Sequence, residues 1–182
     1  MKSFQGRHIL VGITGSIAAV KVPELVHQLK KEGARVSCAM TAAASHFVTP
    51  LSLATLSGEA VFHQMSSPES FHMPHLALAE HCDAFLIVPA SADAIGKLAA
   101  GWGDDPVCLC ALTTPAPILL APAMHPTLWK HPATRANVKR LKGFGYRFVG
   151  PVSGVLADGS AGLGRMSEPS EILEALRKIL RA

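Results

Sequence analysis

The sequence predicts an α/β protein of three layers: a mainly parallel central sheet of five to six strands, with helices on both faces. Three observations predict this class. Short apolar runs alternate with longer stretches of helical periodicity from residue 8 onward. The runs are apolar throughout rather than alternating with polar residues, as in strands buried on both faces. The segments that follow them, TGS, TAAAS, PASAD and PAMHP, share small residues and hydroxyls, with Asp93 and His125 as the exceptions. In open parallel sheets, ligands gather beyond these carboxyl ends.

Each element follows from local pattern. HILVGIT (8–14) reads as a buried strand. A helix is expected from about Ser16 to Lys31, with Gly33 closing it. RVSCAMT (35–41) is a second strand. SHFVTPLSLATLSG reads as short helical pieces broken at Pro50. AFLIVPA (84–90) is a third strand, followed by a helix through ADAIGKLAAG and a further helical stretch over DDPVCLCALT. PILLAPA (117–123) is a fourth strand. ATRANVKRLKGFG is helical, and YRFVG (146–150) is a fifth strand. A glycine-rich loop, 151–169, precedes a terminal helix, 170–181, with apolar positions at Ile172, Leu173, Leu176, Ile179 and Leu180.

Composition narrows the function classes. The 182 residues fit one domain, 1–182, and the apolar share of 49% argues against disorder. No apolar run approaches the roughly 18 residues needed to cross a bilayer, and the N-terminus does not read as a signal peptide. The net charge of +4 is modest, and the few aromatics do not interleave with basic residues, so no nucleic-acid module is expected. Cys38, Cys82, Cys108 and Cys110 lie in or beside apolar runs without a CxxC pair; they read as reduced, buried thiols of a cytoplasmic protein. His72, His75 and His81 cluster, but no carboxylate or cysteine completes a tetrahedral set, so no metal is expected.

Four segments carry candidate chemistry. GITGSIAA (12–19) joins a strand to a helix; its backbone N–H groups and the Ser16 hydroxyl suit a phosphate, and equally suit a plain serine-capped turn. It is neither a Walker loop nor a GxGxxG motif. Thr41 and Ser91 end two other strands and offer further hydroxyls. PASADAIG leaves room for a flat ligand at Ala90 and Ala92. APAMHPTLW sets Met124, His125 and Trp129 near the same edge. The 151–169 segment holds four glycines around Asp158, more than a connector requires, although a surface excursion with permissive turns has the same composition.

In this order the segments resemble the homo-oligomeric flavin-containing cysteine decarboxylases. PASADA (89–94) resembles that family's Pro-Ala-Ser-Ala-Asn-Thr motif, and PAMHPTLW (122–129) its Pro-x-Met-Asn-x-x-Met-Trp motif. GVLADGSAGLGRMSEP (154–169) resembles the substrate clamp of the phosphopantothenoylcysteine decarboxylases, and GITGSIAA the flavin phosphate loop. The resemblance implies FMN as cofactor, a Rossmann-like (flavodoxin-like) fold, and trimers or dodecamers with sites at subunit contacts. The implied substrate is a small-molecule or peptide cysteinyl compound, with neither nucleic acid nor membrane as partner. Gly15, Ser16, Ile17, Thr41, Ser91, Ala92, Asp93, Ala94 and Ala123 are implied to bind FMN, and His75 to be the catalytic base. Met124, His125, Val155, Leu156, Ala157, Asp158 and Met166 are implied to meet the substrate. The implied chemistry oxidises a cysteine thiol to a thioaldehyde, after which CO2 loss gives an enethiol that the clamp cysteine helps to saturate.

Three positions depart from the family pattern: Asp93 and His125 stand where it has asparagine, and Asp158 where it has the clamp cysteine. An ionised aspartate only accepts hydrogen bonds, whereas an amide also donates. Asp158 cannot replace a thiol in redox chemistry; it could at most donate a proton if burial raised its pKa. The expectation is therefore a coenzyme A biosynthesis type of decarboxylase that can stop at the enethiol. The alternatives are a peptidyl-cysteine decarboxylase or a flavin-binding protein that has lost the reaction. A flavin prenyltransferase shares the fold, but GSIAA and the clamp segment favour the cysteine decarboxylases.

Overall fold

The computed structural model describes residues 3–65 and 73–181. Five parallel strands form one sheet: β1 (His8–Ile13), β2 (Arg35–Met40), β3 (Ala84–Ala90), β4 (Ile118–Pro122) and β5 (Arg147–Phe148), in the order β2-β1-β3-β4-β5. This is the flavodoxin-like order. Every residue of β1, β3 and β4 is buried, because both faces are covered.

One face carries α1 (Val22–Lys31), α2 (Pro50–Ser57) and α8 (Pro169–Arg181), whose Leu25, Leu29, Leu53, Ile172 and Leu176 pack with Ile9, Val11 and Leu86. The other carries α3 (Pro74–Ala79), α4 (Ala92–Ala100), α5 (Pro106–Thr113) and α7 (Pro132–Gly143), packed through Ile95, Leu98, Val107 and Leu141 onto Leu10, Phe85 and Ile87. A one-turn helix, α6 (Pro126–Lys130), follows β4.

Five elements differ from the sequence reading. The segment after Ser16 is a 3-10 turn over Ile17–Lys21, and α1 proper starts at Val22. Pro23 falls in its first turn, where a missing N–H costs nothing. For the same reason Pro50 opens α2 instead of breaking a helix. β5 is shortened to two residues. The expected loop at 151–169 is largely an antiparallel hairpin, β6 (Val152–Val155) and β7 (Ala161–Arg165). Its glycines hide the pattern from the sequence because they present no side chain whose alternation could be read. α3 was also missed, being six residues long and preceded by proline.

Candidate functional site

The chain leaves β1 and enters β2 on one side and β3 on the other, so a crevice opens beyond their carboxyl ends. Thr14 sets its floor. Its buried hydroxyl donates to the Pro89 carbonyl at 2.7 Å and accepts from the Ser91 N–H at 2.9 Å, tying the first loop to the third. Sequence reasoning did not single out Thr14; a buried hydroxyl directly after a strand is its only local signal.

Three hydroxyls cap the helical turns at this edge. Ser16 accepts from the Ala18 N–H, Thr41 from Ala44 and Ser91 from Ala94. A capping hydroxyl that accepts here keeps its own O–H for another acceptor. Gly15 has a steric reason for its identity: a Cβ there would come within 2.6 Å of the Ala43 Cβ, so the first two loops close on each other only because position 15 lacks one. A phosphate fits this donor set. Asp93 is exposed at the start of α4 and leans toward Lys97, 3.8 Å away.

A cavity of about 510 Å³ adjoins this edge. Ser16, Ile17, Ala123, Met124, His125, Val155, Leu156, Ala157, Asp158 and Met166 line it, with Ala18, Val20, Lys21, Gly164 and Arg165, which the sequence did not assign to a site. Gly15, Thr41, Ser91, Ala92, Asp93 and Ala94 lie outside its lining. His75 is half-buried on α3, which packs against α5, and is likewise not among the lining residues. His72 lies outside the described residues.

The hairpin forms one wall because its backbone lies directly on the loop after β4. The Met124 N–H donates to the Gly164 carbonyl at 3.0 Å. A Cβ on Gly164 would stand 2.1 Å from the Met124 carbonyl oxygen, and one on Gly162 2.6 Å from Pro126 Cγ. These glycines serve close approach. Gly159, at φ +81, alone serves the turn at the tip.

At that tip Asp158 accepts from the Ser160 N–H at 3.0 Å and from the Ser160 hydroxyl at 2.7 Å. The Ser160 hydrogen bonds, with a contribution from His125, hold its carboxyl below the usual carboxylate range. This corrects the expectation that burial could raise it: Asp158 is exposed and ionised, not a proton donor. His125 caps α6, its Nδ1 accepting from the Thr127 N–H at 3.2 Å. The proton of the neutral ring is therefore on Nε2, which stands 3.8 Å from Asp158 Oδ2.

At the other end of the cavity, Lys21 Nζ donates to both oxygens of Glu168, at 3.0 and 2.9 Å, and Arg165 approaches the same carboxylate at 3.4 Å. Lys21 and Arg165 hold Glu168 below its usual pKa, the Lys21 hydrogen bond leading. Two cations share one carboxylate, which leaves a surplus positive charge at this end of the cavity, opposite the ionised Asp158. Arg165 Nε is also buried without a hydrogen-bond partner among the described residues.

A family model described as Flavoprotein matches residues 2–181. The chain belongs to the flavoprotein family. It is 46% identical over 172 residues to the coenzyme A biosynthesis bifunctional protein CoaBC of Haemophilus influenzae, covering 94% of this chain and 43% of that protein. It thus spans less than half the length of that bifunctional relative. A Streptococcus mutans protein named "probable phosphopantothenoylcysteine decarboxylase" is 39% identical over 177 residues, covering 96% of this chain and 99% of that protein. Among solved structures, a PPC decarboxylase mutant complexed with pantothenoylaminoethenethiol superposes with a TM-score of 0.85 at 27% identity, covering 97% of this chain and 99% of that one. The FMN-dependent cysteine decarboxylase SpaF superposes with a TM-score of 0.86 at 27% identity, covering 98% and 97%.

Proposed function

We propose that this flavoprotein is an FMN-dependent decarboxylase of a cysteinyl substrate, of the kind that serves coenzyme A biosynthesis. The observation that carries the reading is the shared cavity. Residues of the Ser16 loop, the Met124–His125 loop and the hairpin, far apart in sequence, line one volume beside three free hydroxyl donors. Gly15, Ser16, Ile17, Thr41, Ser91, Ala92, Asp93, Ala94 and Ala123 are the residues that would hold FMN, the hydroxyls meeting its phosphate. Bound FMN supplies a two-electron oxidation of the substrate thiol, after which the carboxylate leaves as CO2.

The chain's own groups bind and orient the substrate. Lys21 and Arg165 attract an anionic end, where their surplus charge suits a phosphorylated cysteinyl compound over a neutral peptide terminus. The His125 Nε2–H is a donor for the substrate carboxylate, in competition with Asp158. Val155, Leu156, Ala157, Met124 and Met166 cover the pantothenoyl-like body and exclude water. His75 is the assigned base for the thiol proton. Its absence from the cavity of its own protomer supports assembly into trimers or dodecamers, in which a second copy completes the site. No helix among the described residues is long and apolar enough to cross a membrane, in keeping with action in the cytoplasm.

Asp158 supplies no thiol, so the reaction stops at the enethiol. The test incubates FMN-loaded protein with 4'-phosphopantothenoylcysteine and with cysteine-ended peptides and follows product mass. Loss of CO2 together with two hydrogens supports the reading. An unchanged substrate mass refutes decarboxylation, and loss of CO2 alone refutes the enethiol stop.

A further inference from the structure

A second cavity, of about 470 Å³, lies against α7 and the edge strand β5, and the proposed reaction makes no use of it. Its floor is aromatic and apolar: Trp129, Val138 and Phe148. Its rim holds three cations, Arg135, Lys139 and Lys142, and its lining holds no acidic residue. Positions 135, 139 and 142 follow the i, i+4, i+7 spacing of one helix face. Among the described residues none of the three forms an ion pair, whereas Lys21 and Arg165 of the first cavity and Arg177 and Lys178 of α8 are paired.

Two of these cations lie over ring faces. The Arg135 guanidinium is 5.5 Å from the centroid of Trp129, and Lys142 Nζ is 5.7 Å from that of Phe148. A planar guanidinium on an indole is a stacking platform for another flat ring, and ammonium groups without acidic partners recruit phosphate oxygens. The two stations are seven helical residues apart, about 10 Å at 1.5 Å rise per residue. That distance suits a nucleobase at one end and its 5'-phosphate at the other.

We propose that this cavity binds a nucleoside monophosphate, with the base stacked at Arg135 and Trp129 and the phosphate held by Lys139 and Lys142. The site has a route to the first cavity. His125, the cap of α6, lies one turn before Trp129, whose N–H donates to the His125 carbonyl at 3.1 Å. A ligand that moves Trp129 therefore acts on the residue that caps α6 and lines the first cavity.

The test titrates AMP, adenosine and inorganic phosphate separately by calorimetry into protein holding excess FMN, with FMN absorbance recorded to detect displacement. AMP is expected to bind at least tenfold more tightly than either adenosine or phosphate, without releasing FMN. Lys139→Gln combined with Lys142→Gln should weaken AMP tenfold or more and leave adenosine unchanged. Arg135→Gln should weaken both AMP and adenosine. Circular dichroism checks the fold of each variant. Equal affinity for AMP and phosphate, no saturable AMP binding, release of FMN by AMP, or a folded double variant that binds AMP like the parent overturns the proposal.

Discussion

Replacing Gly164 by alanine tests how the hairpin is fastened. The added Cβ meets the Met124 carbonyl oxygen at 2.1 Å and the Pro126 nitrogen at 3.3 Å. Both are backbone atoms at the start of α6, so no side-chain rotation relieves the clash. β7 must lift, and the 3.0 Å bond from the Met124 N–H to the Gly164 carbonyl is lost with it. Overpacking of this kind costs about 1–3 kcal/mol, and a buried backbone hydrogen bond about 1 kcal/mol. The sum, about 2–4 kcal/mol, corresponds to a fall in Tm of about 5–15 °C for a chain of this size. Because β7 is also a wall of the first cavity, kcat/KM for the cysteinyl substrate should fall by more than tenfold. Thermal unfolding followed by circular dichroism measures the first effect and substrate titration the second. Gly143→Ala, where a Cβ meets nothing within 4 Å, is the control and should leave Tm unchanged or slightly raised. A Gly164→Ala protein that unfolds within 2 °C (roughly 1 kcal/mol) of the parent would show that the hairpin is not seated as described.

Other consequences are equally direct. Thr14→Val removes both the donor to Pro89 and the acceptor for Ser91; a loss of about 1–3 kcal/mol in denaturant unfolding and weaker FMN retention on dialysis are expected. Asp158 should titrate below 3.8 by carboxyl NMR, and Ser160→Ala should raise its midpoint. Since the folded pKa is depressed, any stability from this group is present above the unfolded pKa and fades as pH falls through the folded one. Burial pushes Cys38 and Cys110 up to about 12 and raises Cys82 and Cys108. The native protein should therefore leave its four thiols unreactive toward a disulfide reagent at pH 8 for minutes, and expose all four in denaturant. Asp158→Cys with His125→Asn should convert the product from enethiol to saturated thiol, visible as a gain of two hydrogens by mass spectrometry.

Much of the proposed site was legible in the sequence. The GITGSIAA loop, the PAMHPTLW segment and 151–169, which line one cavity, were marked by residue type and order, as was PASADA beside them. Hidden instead were Thr14, whose meaning is a bond to a loop 75 positions away, and Lys21 and Arg165, which acquire a role only by sharing Glu168 across the fold. The sequence read the glycines of 154–164 as freedom to turn; the structure makes Gly164 a place where backbone meets backbone and Gly162 a place where backbone meets the Pro126 ring.

The sequence by itself determined the layer architecture, because runs apolar on both faces have no stable home except a covered parallel sheet. It also set the expectation that the chemistry sits at the carboxyl edge, and the family resemblance implies a thiol where this chain has Asp158. Only the tertiary structure decided that Asp158 is an exposed, ionised turn residue facing His125 rather than a buried acid. A pKa follows from solvent and neighbours, and neither is written in the order of residues.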